Sequence, residues 1–203
     1  AVFDADGDRF YRLEYDPFRD TLIIMNGDDV AFFQAKYLMT SDPKRYKGSR
    51  YINTIESDIS STVAAKKLGF KPMLAPVGDK WILLKIAILL IEKRMHATKK
   101  SRKEKILPSK IHKKWADIQK NPILDILKLK ELESELDQLR IINKTGKPIS
   151  DNIEKDLLSF AIGTEESGHN ITEGFLTCED GSEISIFLGN GLKSAINTFT
   201  ATQ

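Results

Sequence analysis

The chain has 203 residues, 31 basic and 29 acidic, for a formal net charge of +2. That length holds one large domain, or one domain with an extension, and so balanced a charge excludes a strong general pull toward nucleic acid or an anionic membrane surface. The one cysteine, Cys178, excludes an internal disulfide and fits a reducing compartment.

Residues 1–3 read as the end of a strand that enters the loop 4–9, and the apolar stretch 10–15 reads as its hairpin partner. The chain starts without Met and runs at once into an acidic loop, so it is expected to be an internal piece of a longer protein. No basic stretch followed by an apolar run opens it, and no secretory leader is expected. Residues 21–25 form another short strand. Asp28 or Asp29 is expected to cap a helix reaching about Met39, with Val30, Phe33 and Tyr37 on one face.

A βαβ pattern follows. Residues 50–55 read as a strand, Ser57 or Asp58 caps a helix over 59–68, Gly69 stops it, and 71–75 read as the second strand. Such a unit implies a parallel pair with a right-handed crossover. The next loop, 76–80, then lies at the carboxyl end of the sheet, where α/β folds place ligands. Residues 81–94 are helical; their apolar run is broken by Lys85 and is too short to span a bilayer.

The composition then changes. Residues 93–114 hold ten basic residues against one acid, Glu104. Asn121 and Pro122 open a helix with Leu129, Leu132, Leu136 and Leu139 on one face. About 95–151 therefore reads as a helical insertion. Residues 159–162 return to strand character, a loop follows over 163–169, and the tail turns at Asp180-Gly181 and closes with a helix near 191–199. The fold class is α/β: a small mixed sheet with flanking helices, plus the helical insertion.

Three stretches carry chemistry. In Phe3-Asp4-Ala5-Asp6-Gly7-Asp8-Arg9, carboxylates at alternate positions with a glycine bend can converge on one hard cation; the plain alternative is an acidic surface turn. An EF-hand is excluded, because Arg9 and Tyr15 stand where it needs Gly and Glu. In 76–81, a glycine turn presents Lys80 to an anion; the alternative is a strand-to-helix turn with a solvated lysine. In Gly163-Thr164-Glu165-Glu166-Ser167-Gly168-His169, a carboxylate and a hydroxyl suit sugar hydroxyls. His169 adds a group able to carry a proton or pair with a phosphate. The basic tract has only Trp115 near it, so a solvated helical excursion suits it better than a nucleic-acid surface.

In this order the motifs resemble the α-D-phosphohexomutase superfamily. Asp4, Asp6, Asp8 and Arg9 match its metal loop, Val77 to Trp81 its third-domain turn, and Glu165, Ser167, Gly168 and His169 its sugar loop. Asn26-Gly27-Asp28 resembles the start of its third domain and Gly189-Asn190-Gly191-Leu192 a stretch near that domain's end. Pro76 and Asn190 depart from common family residues.

The resemblance implies phosphate transfer within a hexose phosphate through a phosphoserine and Mg²⁺. Asp4, Asp6 and Asp8 would hold the metal, Arg9 would support the loop, and Gly78, Lys80, Glu165, Ser167 and His169 would bind the substrate. Residues 1–20 would end the second, metal-loop domain, and 21–203 would form the third, sugar-binding domain with the insertion. No Ser-His-Asn-Pro serine loop and no Arg-x-Ser-Gly-Thr phosphate loop occurs in the sequence. The chain alone is therefore expected to be inactive, to need the parent's other domains as partners, and to be cytoplasmic. The rivals are a haloacid-dehalogenase-type phosphatase, suggested by Asp4-x-Asp6-Gly7, and a non-enzymatic interaction module built on the insertion. The mutase reading requires loops 76–80 and 163–169 to lie side by side, on strands expected to be sheet neighbours.

Overall fold

The computed structural model describes residues 1–100, 109–120, 127, 128, 130–132, 134, 160–181 and 183–202. The chain divides into two compact units, Ala1–Ile86 with Leu158–Gln203, and Ala87–Leu157.

The first unit is mixed α/β. Strands β1 (Val2–Phe3), β2 (Phe10–Asp16) and β3 (Thr21–Met25) form an antiparallel sheet in that order. Helix α1 (Gly27–Ser41) and the short α2 (Pro43–Tyr46) lead to β4 (Arg50–Thr54), α3 (Ile59–Leu68), β5 (Lys71–Ala75) and the start of α4 (Asp79–Lys100). Strands β6 (Phe160–Thr164), β7 (Asn170–Thr177) and β8 (Glu183–Gly189) follow, and a terminal helix, here α6 (Gly191–Ala201), ends the unit.

The second sheet runs β5-β4-β6-β7-β8, parallel from β5 through β6 and antiparallel beyond. The expectation that the strands ending at 75 and 162 are neighbours is corrected: β4 lies between them. Tyr51, Ile52, Asn53 and Thr54 are all buried, as is every residue of β6, which is the signature of strands covered on both faces. Ala31 and Ala35 of α1, Ala65 of α3, Tyr51, Phe70, Ala161 and Ile162 form one core cluster. The alanines let the helices approach the sheet closely. Phe10, Val30 and Ala195 form a second cluster that joins β2 to α1 and α6.

Local signals set the helix ends. Asp58 caps α3 by accepting the Ser60 amide, and Gly69 ends it at φ 103°, a left-handed conformation that costs glycine little. Helix α1 is capped by Asn26, not by Asp28 or Asp29. The Asn26 side chain accepts both their amides, and Asp29 returns the bond to the Asn26 N–H.

The second unit contains α5 (Ser109–Lys120), in which Trp115 is buried, as is Leu132. Lys114 pairs with Glu131 at 3.3 Å. Asn121, Pro122, Leu129, Leu136 and Leu139 lie outside the described residues. Among the described residues, no helix is long and apolar enough to cross a membrane.

Candidate functional site

The site forms where three segments of the first unit meet: the acidic loop after β1, the turn after β5 and the loop after β6. The last two are brought together by a side chain. Glu165 is buried, and its Oε1 accepts the Gly78 amide at 2.6 Å while its Oε2 accepts the Ser167 hydroxyl at 3.2 Å. The two loops thus lie side by side at the carboxyl edge although β4 separates their strands. Lys80 stands beside this junction, exposed, with its ammonium over the Trp81 ring at 5.1 Å.

The acidic loop joins the loop after β6 through the backbone. The Phe10 amide donates to the Gly168 carbonyl at 3.1 Å, and Arg9 and His169 form an isolated antiparallel bridge. The Gly191 amide at the start of α6 donates to the Gly7 carbonyl at 3.0 Å. His169 is buried, with Nε2 3.8 Å from Asp8 Oδ2. Its imidazole fills the space over Gly189, where an added Cβ would stand 1.7 Å from Nε2. Only glycine permits that approach.

Asp4, Asp6 and Asp8 each present one carboxylate oxygen within 4.8 Å of the others. These three carboxylates would be the ligands of a hard divalent cation, whose preferred donors are such oxygens. The chemistry also fits a cation. Burial pushes the Asp8 carboxyl up, against the pull of His169, and the charges of Asp6 and Asp4 push it further. Its Oδ1 is buried with no hydrogen-bond partner. Slight burial pushes Asp4 up as well, but hydrogen bonds from the Arg9 amide, Asp6 and Asp8 and the Arg9 charge outweigh it and hold Asp4 low. The Arg9 amide reaches Asp4 Oδ1 at 3.1 Å and its guanidinium Asp4 Oδ2 at 3.7 Å.

Sequence reasoning left Asn26, Gly27, Asp28 and Thr164 out of the site. The Gly27 amide donates to the Glu166 carbonyl at 3.0 Å, and the Thr164 hydroxyl donates to the Gly27 carbonyl at 3.1 Å. A Cβ at Gly27 would fall 1.9 Å from the Glu165 carbonyl oxygen. The start of α1 is therefore the floor on which the loop after β6 rests. The stretch Asn26-Gly27-Asp28 was a signal for this, but its partner 140 residues away was not readable from it.

No family model matches the chain. Over 82 residues, 40% of this chain, it is 33% identical to a phosphoglucosamine mutase from Syntrophobacter fumaroxidans. The match spans 17% of that protein's length. This similarity supports a phosphohexomutase-like origin for the chain.

Proposed function

We propose that the chain is the metal-loop end and sugar-binding domain of a phosphohexomutase, an enzyme that moves phosphate between two positions of a hexose. The observation that carries this reading is the Gly78–Glu165 hydrogen bond, which unites two loops that a mutase needs together. The phosphatase reading centres on Asp4 and Asp6 and gives these loops no reason to meet.

In this reading Asp4, Asp6 and Asp8 hold Mg²⁺, which when bound neutralises charge on the phosphoryl group. Arg9 braces Asp4. A carboxylate has about four lone-pair sites; Gly78 and Ser167 occupy one on each oxygen of Glu165, and the others face sugar hydroxyls. Ser167 can donate and accept in turn. Lys80 supplies a cation for an anionic substituent, and His169 is held beside Asp8. Phosphoryl transfer rests on such positioning and charge stabilisation. The phosphoserine and the phosphate-binding loop come from outside this sequence, so the chain alone turns over no substrate. Residues 1–20 then close a metal-loop domain and 21–203 form the sugar-binding domain with its insertion, in a cytoplasmic enzyme.

The test is binding followed by NMR with glucose 1-phosphate, mannose 1-phosphate and glucosamine 1-phosphate, alongside a mutase assay. The expected result is perturbation of Gly78, Ser167 and His169 without turnover, lost in Glu165→Ala. Turnover by the chain unaided, or perturbation only elsewhere, overturns the reading.

A further inference from the structure

Strand β3 is an edge that nothing in its sequence blunts. It pairs with β2 in continuous register from Thr21 to Met25, and among the described residues no strand meets its other side. Its five residues, Thr21-Leu22-Ile23-Ile24-Met25, carry no charge and no proline. A free edge presents a row of backbone N–H and C=O groups to any strand that reaches it, and proteins blunt such edges with short strands, lysines, prolines, charges or bulges. The other edges of this unit carry such devices. β1 has two residues, β5 opens on Lys71-Pro72, and β8 opens on Glu183 and is half-buried over its last four residues.

The side chains leave the approach open. Leu22 and Ile24 stand 57% and 60% exposed on one face, in line with Tyr15 and Leu13 of β2, which are exposed too. Ile23 is exposed on the other face. The order of residues in the strand selects its occupant. An antiparallel copy centred on Ile23 sets Leu22 opposite Ile24, Thr21 opposite Met25 and Ile23 opposite itself. Every facing pair is then uncharged, and the apolar row of Leu13, Tyr15, Leu22 and Ile24 runs on from one copy into the next. Just beyond the strand, Asp20 of one copy faces Asn26 of the other, an amide and not a second acid. A two-fold contact requires this self-complementarity.

We propose that β3 pairs with β3 of a second copy of this chain, antiparallel about a two-fold axis at Ile23, so that the two three-stranded sheets join into one. The pairing satisfies the edge on both copies at once and then closes, because each copy brings one such edge. Five residues a side make a small contact, so the dimer is weak and depends on concentration. The inference stands independently of the mutase reading, since it uses no residue of that site.

The experiment follows the 203-residue chain by sedimentation velocity and amide hydrogen exchange from about 1 μM to about 1 mM, the range in which weak association shows. A shift from monomer to dimer is expected, and the β3 amides that do not bond β2 are expected to gain protection as concentration rises. Ile23→Lys sets two like charges opposite each other on the axis and is expected to weaken the dimer at least about tenfold. Within its own chain the lysine lies opposite Glu14, so the monomer is expected to keep its melting profile. Where it does not, Ile23→Thr, which keeps a β-branched side chain, carries the test with a smaller expected loss. Leu13→Lys, one strand in from the edge, and Ile184→Lys, on β8, are expected to leave the dimer intact. A monomer throughout the range overturns the proposal, as does a dimer indifferent to both Ile23 changes. Loss in Leu13→Lys alone means that faces stack, loss in Ile184→Lys alone means that β8 is the contact, and either result overturns it too.

Discussion

The Gly78 amide and Glu165 Oε1 meet at 2.6 Å across 87 positions of sequence. Nothing local draws them together; only the sheet does. Strands β5 and β6 flank β4 in parallel and deliver both loops to one edge, where Glu165 bridges the gap left by the intervening strand.

That bridge makes the first prediction. Glu165→Ala removes a buried hydrogen bond to a charged group, worth about 2 kcal/mol. The midpoint of urea unfolding falls accordingly, and exchange of the Gly78 amide proton speeds up. Glu165→Gln keeps an acceptor and loses less on both measures. A Gly78 exchange rate unchanged in Glu165→Ala means the two loops are not latched by this side chain.

Two of the crowded glycines, Gly27 and Gly189, separate a backbone clash from a side-chain clash. Gly27→Ala drives a methyl into the Glu165 carbonyl oxygen, which the loop after β6 cannot easily withdraw. It is expected to cost about 3 kcal/mol, at the upper end for overpacking. Gly189→Ala meets the His169 imidazole, a side chain able to rotate. It is expected to cost less, but to move His169 from Asp8, seen as changed imidazole resonances. Thermal melts showing equal losses, with His169 unmoved, are the contrary result.

The carboxylate trio predicts the metal response. Mg²⁺ is expected to bind weakly, because three side chains leave the rest of the shell to water. Asp6→Asn removes one ligand charge and weakens binding roughly tenfold, since affinity follows ligand charge count. Calorimetric titration of both proteins measures this, and binding that is tight and indifferent to Asp6→Asn sinks the assignment.

How far the sequence carried this reading depends on the range of each interaction. Helix α3 was legible end to end, because Asp58 and Gly69 act within one turn. The cap of α1 was misplaced among neighbouring polar residues: Asn26, Asp28 and Asp29 all suit the role, and the reciprocal bond between Asn26 and Asp29 decides it. The motif residues Asp8, His169, Gly78 and Glu165 were legible as chemistry, but their mutual contacts were not. The Gly78–Glu165 contact depends on β4 pairing between β5 and β6, and Asp8–His169 on the bridge between Arg9 and His169, pairings of distant segments that leave no local mark. Gly27 was visible only as part of a turn-like stretch, since its crowding comes from a loop far along the chain.

Asp28 supplies the last prediction, a pH dependence of stability. Its carboxylate is buried beneath the loop after β6. Its Oδ2 accepts the Asp58 amide at 2.8 Å and its Oδ1 lies 3.5 Å from the Thr164 hydroxyl. Burial raises its pKa, the Asp58 amide and Ser57 pull it back, and the Glu166 charge raises it again. Raised in the folded state above the ordinary 3.8, the group binds its proton more tightly when folded than when unfolded. Stability therefore increases in this term as pH falls from neutrality through the raised value, and levels off below the ordinary one. Carboxylates held low, such as Asp58, work in the opposite sense. The comparison that isolates Asp28 is with Asp28→Asn, which keeps an acceptor for Asp58 and cannot ionise. Urea unfolding of both proteins between pH 7 and pH 4 is expected to show the wild type gaining on the variant as pH falls. A constant difference across that range would show that Asp28 has the same pKa in the folded and unfolded chain.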